Sequence, residues 1–126
     1  MKSTISGKVI QGDNYGKRLG FPTANLDRRQ YQRQRLKLKF GVYAGVAVLP
    51  SGKRYRAGIV IGPKDGLNLP KLEAHLLGFT GNLYGKKLTL YVKKFLRPYK
   101  IFTSESLLKQ QIKKDLTIIK QLKLHE

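Results

Sequence analysis

Along most of this chain hydrophobic and polar residues alternate in short runs, and glycine and proline separate one run from the next. The opening TISGKVIQG reads as a strand entering a glycine-punctuated loop, GDNYGKRLGFPTANL (12–26). GVYAGVAVLP (41–50) alternates, is rich in β-branched residues and ends at Pro50-Ser51-Gly52, and RYRAGIVIG (54–62) follows as its hairpin partner. GPKDGLNLP (62–70) is turn chemistry, LEAHLLGF (72–79) is the next strand, and a turn falls at Thr80-Gly81-Asn82. KKLTLYVKKF (86–95) puts Leu88, Leu90 and Val92 on one face and Lys87, Thr89, Tyr91 and Lys93 on the other. The basic stretch 27–39 lacks such a pattern and reads as an exposed loop.

The tail changes period. Thr103-Ser104 is a good N-cap, and Glu105 in the first turn complements the helix dipole. Leu108, Ile112, Leu116, Ile119 and Leu122 recur at spacings of three and four, which makes one amphipathic helix. Five or six short strands followed by one helix predict a mostly β fold: a small six-stranded Greek-key barrel with a C-terminal α-helix packed outside. The 126 residues make one domain, 1–126, without an internal repeat.

Composition narrows the function. At 40% hydrophobic residues the chain is globular, and its apolar runs are too short to span a bilayer. The N-terminus lacks the apolar core of a secretory signal, so an intracellular, cytoplasmic protein is the simpler reading. Cysteine is absent, which excludes disulfides, thiolate zinc sites and cysteine nucleophiles. There are 26 Lys and Arg against 7 Asp and Glu, a net charge of +19. That field attracts polyanions, or else it is a solvated basic surface. The basic clusters 28–39 and 109–123 lack the regular aromatic interleaving of a single-strand stacking platform.

With seven carboxylates, each can be weighed. Asp13 and Asp27 flank the glycine loop, Asp65 sits in a turn, Glu105 and Asp115 belong to the helix, and Glu126 is terminal. Glu73 stands apart: it lies inside an apolar strand, on the face of His75 and opposite Leu72, Ala74 and Leu76. Either that polar face meets solvent, or Glu73 is a general base lining a barrel mouth. In the loop, Gly12, Gly16 and Gly20 stand four apart, and Lys17 and Arg18 add positive charge, which suits an anion approached by backbone N–H groups. Neither GxxxxGK[ST] nor GxGxxG is present. Pro22 stiffens the segment that follows, and Thr23 and Asn25 point the same way from an extended chain. They are two neutral oxygen ligands for a hard cation such as Mg²⁺, or a turn that satisfies its own backbone.

GDNYGKRLGFPTANL strongly resembles the signature segment of riboflavin kinases, in which a glycine-rich loop runs into a PTAN motif. GVYAGVAV, LEAHLLGFTGNLYGKKL and FLRPYKIFTSESLLKQQIKKD resemble, in order, the family's next strand, its segment bearing the catalytic glutamate, and its closing strand and helix start. The likeness spans nearly the whole chain. It implies transfer of the γ-phosphoryl group of ATP, or another nucleoside triphosphate, to the ribityl 5′-hydroxyl of riboflavin, giving FMN. It further implies that Glu73 is the base and that Thr23 and Asn25 bind Mg²⁺. Gly12, Lys17, Gly20, Pro22, Thr23 and Tyr84 then surround the nucleotide, and Arg97, Lys100 and Phe102 contact the flavin. Two departures stand out: Asn82 replaces the Asp usual before Leu-Tyr-Gly, and PKDGLNLP replaces a second Pro-Thr motif after Gly62. Bacterial members are often fused to an adenylyltransferase that makes FAD; nothing here resembles one, and FAD synthesis is not implied. The expected partners are small molecules, with nucleic acid bound only non-specifically and the chain a monomer. The competing readings are a basic nucleic-acid-binding barrel and a flavin-binding module without catalysis.

Overall fold

Period-two alternation with small and β-branched residues inside favours strands that close on one another, and six do. The protein, seen in a computed structural model, is described for residues 3–12, 17, 20–33, 38–64, 66 and 68–124, apart from the side chain of Gln30. Asp13, Gly16, Arg18, Asp65 and Glu126 lie outside the described residues. The strands are β1 (Ser3–Ile10), β2 (Ala24–Leu26), β3 (Gly41–Val48), β4 (Arg54–Lys64), β5 (Pro70–Leu76) and β6 (Lys87–Pro98). They form a closed antiparallel barrel in the order β1-β2-β5-β4-β3-β6. Strands β3, β4 and β5 are consecutive neighbours and β6 returns beside β3, which is the Greek-key connection.

Alternation decides what fills the barrel. Ile5, Val9, Leu26, Tyr43, Ala57, Ile59, Ile61, Leu72, Ala74, Leu88, Leu90 and Val92 are buried together in its interior. The outer residues of β5 are Lys71, Glu73 and His75, all half-buried. Helix α2 (Glu105–Gln121) covers part of the outer wall, and its N-cap is Ser104, whose Oγ accepts the Leu107 N–H at 3.2 Å. It lies against β4 at Gly58, where an added Cβ would come 3.2 Å from Ile119 Cδ1; a larger residue there would push the helix outward. The far end is fastened by a strand residue: the Arg56 guanidinium donates to the carbonyls of Ile119 at 2.7 Å and Leu122 at 2.6 Å. Those carbonyls belong to the last turn, where the helix itself supplies no donors.

The basic stretch departs from expectation. A short helix, α1 (Arg29–Arg33), occupies part of the expected loop 27–39. Its Tyr31 is buried in the core, with the hydroxyl accepting the Leu38 N–H at 3.3 Å. One aromatic anchor thus ties to the core a short helix whose other residues are cationic or amide. Asp27 starts the turn by accepting the Arg29 N–H at 3.0 Å and gripping its guanidinium. Among the described residues no helix is long and apolar enough to cross a membrane.

Two outcomes follow from these anchors. The side-chain hydrogen bond from Arg29 holds the Asp27 carboxyl at about 2, below its ordinary 3.8. A depressed carboxyl contributes stability above the ordinary value and loses it as pH falls toward the folded one. Urea midpoints of the wild type should therefore drop between pH 4 and pH 2 more than those of Asp27→Asn, and parallel curves would remove Asp27 from the balance. Arg56→Met should lower stability by about 2 kcal/mol, as expected for charged hydrogen bonds left unmade. An unchanged urea midpoint would show that the helix end needs no donor from the strand.

Candidate active site

One cross-strand row organises the outer wall of the barrel. Asn25 of β2 stands opposite Glu73 of β5, Glu73 opposite Val60 of β4, Val60 opposite Val42 of β3, and Val42 opposite Arg97 of β6. Directly paired residues share a face, so Asn25, Glu73 and Arg97 all project outward, with the two valines between them as an apolar floor. Thr23, two residues before Asn25, falls on that face as the chain enters β2. Glu73 therefore sits on the outer wall facing α2, rather than at a barrel mouth. Its side chain is 13% exposed, and the Lys71 ammonium lies 3.3 Å from its Oε1.

Two cavities flank this row. The first, of about 360 Å³, lies between the outer wall and α2, and among its lining residues are Thr23, Glu73, Arg97, Lys100 and Phe102. Val42 and Val60 form part of its floor, and Leu108, Ile112 and Leu116 of α2 form its far side. The apolar stripe of the helix thus does two jobs: Ile119 packs fully against the barrel, while the preceding turns leave a half-buried hydrophobic wall. The second cavity, of about 480 Å³, is lined by Lys17, Pro22, Thr23, Tyr84 and inward-facing residues of β1 and β5. Both volumes fall in the range of small-molecule sites, roughly 300–1,000 Å³. Thr23 lines both.

The predicted residues gather accordingly. Glu73, Arg97, Lys100 and Phe102 share the first cavity, Lys17, Pro22 and Tyr84 share the second, and Thr23 belongs to each. Gly12 sits against Asn25: an added Cβ would collide with the Asn25 carboxamide, so only glycine lets that side chain lie where it does. Gly20 turns the loop with φ +91°, its N–H donating to the Lys17 carbonyl at 3.1 Å, and lies outside both cavity linings. Asn82 accepts the Tyr84 N–H at 2.8 Å, an Asx turn that the Asn side chain makes as readily as an Asp would.

Arg97 has a partner that spacing does not reveal. Its guanidinium grips Asp115 of α2, with Nε at 3.0 and 3.1 Å from the two carboxylate oxygens and a terminal nitrogen at 2.8 Å. Gln111 donates to the same carboxylate at 3.0 Å, and Asp115 is buried. The fork of Arg97 is thus largely spoken for, and what it offers the cavity is its planar face, 5.8 Å from the Phe102 ring centroid. The Lys100 ammonium lies 5.4 Å from the same ring. On the opposite side, His75 Nδ1 is 2.6 Å from the Pro22 carbonyl and the imidazole meets the Phe21 ring edge-on. Alternation puts His75 beside Glu73 but says nothing of that bond.

Thr23 and Asn25 offer neutral hard oxygens, and the Asn25 amide lies in a cradle that a Cβ on Gly12 would fill. Among the described residues no three His, Cys, Asp or Glu side chains group to hold a metal. Such a site suits Mg²⁺, which keeps waters and takes its remaining oxygens from substrate phosphates.

A family model described as Flavokinase: Riboflavin kinase matches residues 1–123. The chain is 37% identical over 122 residues to the bifunctional riboflavin kinase/FMN adenylyltransferase of Buchnera aphidicola subsp. Schizaphis graminum, covering 94% of this chain and 38% of that protein. It is 34% identical over 119 residues to the RNA-binding riboflavin kinase RibR of Bacillus subtilis, covering 91% and 49% respectively. The crystal structure of riboflavin kinase from Trypanosoma brucei superposes with a TM-score of 0.71 at 25% identity, over 94% of this chain and 75% of that one. The chain belongs to the riboflavin kinase family. It spans under half the length of the two curated relatives described.

The Arg97–Asp115 pair is the strut between helix and barrel. Asp115→Ala should cost about 3 kcal/mol in urea unfolding, because it leaves a part-buried guanidinium without its carboxylate. A loss below about 0.5 kcal/mol, the size of a surface pair, would make the contact incidental.

Proposed function

We propose that this chain phosphorylates riboflavin, taking the γ-phosphoryl group of ATP or another nucleoside triphosphate and releasing FMN and the diphosphate. The observation that carries the reading is the row Asn25–Glu73–Val60–Val42–Arg97, with Thr23 on the wall between two cavities. One cavity has apolar walls and an aromatic-cationic rim, suited to a flat flavin ring; the other has Lys17 and Tyr84, suited to a nucleotide.

In this reading the isoalloxazine lies over Val42 and Val60, against Leu108, Ile112 and Leu116, with the face of Arg97 and the ring of Phe102 at its edge. The ribityl chain runs toward Glu73. Its 5′-hydroxyl oxygen forms the new bond to the γ-phosphorus as the bond to the bridging β–γ oxygen breaks. The Glu73 carboxylate takes the hydroxyl proton. Lys17 offsets phosphate charge, and Gly12, Gly20, Pro22 and Tyr84 border the nucleotide. Thr23 and Asn25 would hold Mg²⁺, which when bound neutralises charge on the phosphates. Phosphoryl transfer asks chiefly for positioning and charge neutralisation, so this small kit suffices. A cytoplasmic monomer suits an enzyme that draws on ATP.

A second reading has two observations behind it: a relative is named as RNA-binding, and this chain carries a +19 charge. An assay with riboflavin, Mg²⁺ and either ATP or CTP, beside a salt-dependent RNA titration, separates the two. Non-specific contacts weaken steeply with salt. A sequence-selective complex at physiological salt, without FMN formation, would favour the second reading.

The sharper test is Glu73→Gln. It keeps size and removes proton acceptance, so FMN formation should fall about 10²–10⁴-fold. Riboflavin binding, read by flavin fluorescence, should persist in the folded variant. Near-wild-type turnover would mean that Glu73 is structural.

A further inference from the structure

Strand β2 is three residues long, and its backbone pairing with β5 covers Asn25↔Glu73 and Ala24↔Ala74. The next rung would set Thr23 opposite His75. Pro22, just before it, has no N–H to give a ladder, so the backbone cannot carry the pairing further. The His75 side chain takes over: Nδ1 reaches the Pro22 carbonyl at 2.6 Å, and since a carbonyl only accepts, Nδ1 carries the proton. Phe21 packs its ring against the imidazole at 6.2 Å between centroids, in an edge arrangement. On β4, His75 faces Gly58, which has no side chain to crowd the ring. Both ends of the bond belong to the site: His75 lines the first cavity and Pro22 the second, with Thr23 between them.

We infer that His75 is a positioning residue for phosphoryl transfer: its bond to the Pro22 carbonyl replaces the missing ladder rung and keeps Thr23 at the wall between the two cavities. The inference rests on the phosphotransfer reading of that site. It assigns the imidazole a mechanical part, acting through Thr23.

The test compares His75→Leu, which keeps bulk without a donor, with His75→Asn, whose amide N–H stands the same number of bonds from the backbone as Nδ1. His75→Leu should lower kcat by roughly 10- to 100-fold, the scale on which small misplacements act, and His75→Asn should restore most of it. In a Thr23→Ala background His75→Leu should cost little more, because both changes remove the same placement. Amide hydrogen exchange across 23–26 in the ligand-free protein should quicken in His75→Leu and return toward wild type in His75→Asn. Equal damage by Leu and Asn, full additivity with Thr23→Ala, or unaltered exchange in the folded Leu variant would each overturn the inference. A wild-type protein that forms no FMN would instead sink the phosphotransfer reading, while the exchange comparison still decides whether His75 holds the segment.

Discussion

The registration of β5 between β2 and β4 is the constraint on which the site depends. A one-residue slip would send Glu73 into the barrel and Ala74 out of it. Burial forbids this, since Leu72, Ala74 and Leu76 fill the interior and a carboxylate there would have to displace them. Hydrophobic packing inside thus fixes the polar arrangement outside. The same row that places Glu73 places Asn25 on one side of it and Arg97 far along the other.

Helix α2 completes the cavity by standing away from the wall in one part and touching it in another. Gly58 admits Ile119, the Arg56 guanidinium holds the final turn, and Arg97 braces the middle through Asp115. Ahead of these supports in the chain, Leu108 and Ile112 border the opening between helix and sheet, and Leu116 borders it among them. Its lining joins apolar side chains from both surfaces to the charged groups of Lys71, Glu73, Arg97, Lys100 and Asp115.

Much of this was legible in the sequence, for identifiable reasons. Strong alternation in 41–48, 54–62, 72–76 and 87–92 gives strands, and period-two reasoning sets Glu73 and His75 on one face, opposite Leu72, Ala74 and Leu76; that this face is the outer wall came from the closed barrel. The tail's spacing gives the helix, and Ser104 its start. The glycine loop with Pro22, Thr23 and Asn25 carried the family resemblance. What was not legible depends on long-range geometry. Tyr31 is one aromatic among cations, and nothing local says that it is buried. Asp115 reads as a polar residue in a basic helix until β6 brings Arg97 to it. The partner of His75 is a carbonyl 53 positions away, which no side-chain pattern announces. The stripe on α2 reads as uniform packing, whereas half of it borders open space.

The barrel's connectivity has a kinetic corollary. Every neighbour in the Asn25–Glu73–Val60–Val42–Arg97 row comes from a different strand, and the outermost pair of strands, β1 and β6, zip the two ends of the barrel together. Chains dominated by such distant pairings assemble slowly, because loop-closure entropy is lost before the contacts return it. The slot needs the helix as well as the barrel, since its lining draws on β3, β4, β5, β6 and α2. Whatever fills the slot therefore reports on the assembled fold as a whole, because no single strand or helix supplies more than part of its lining.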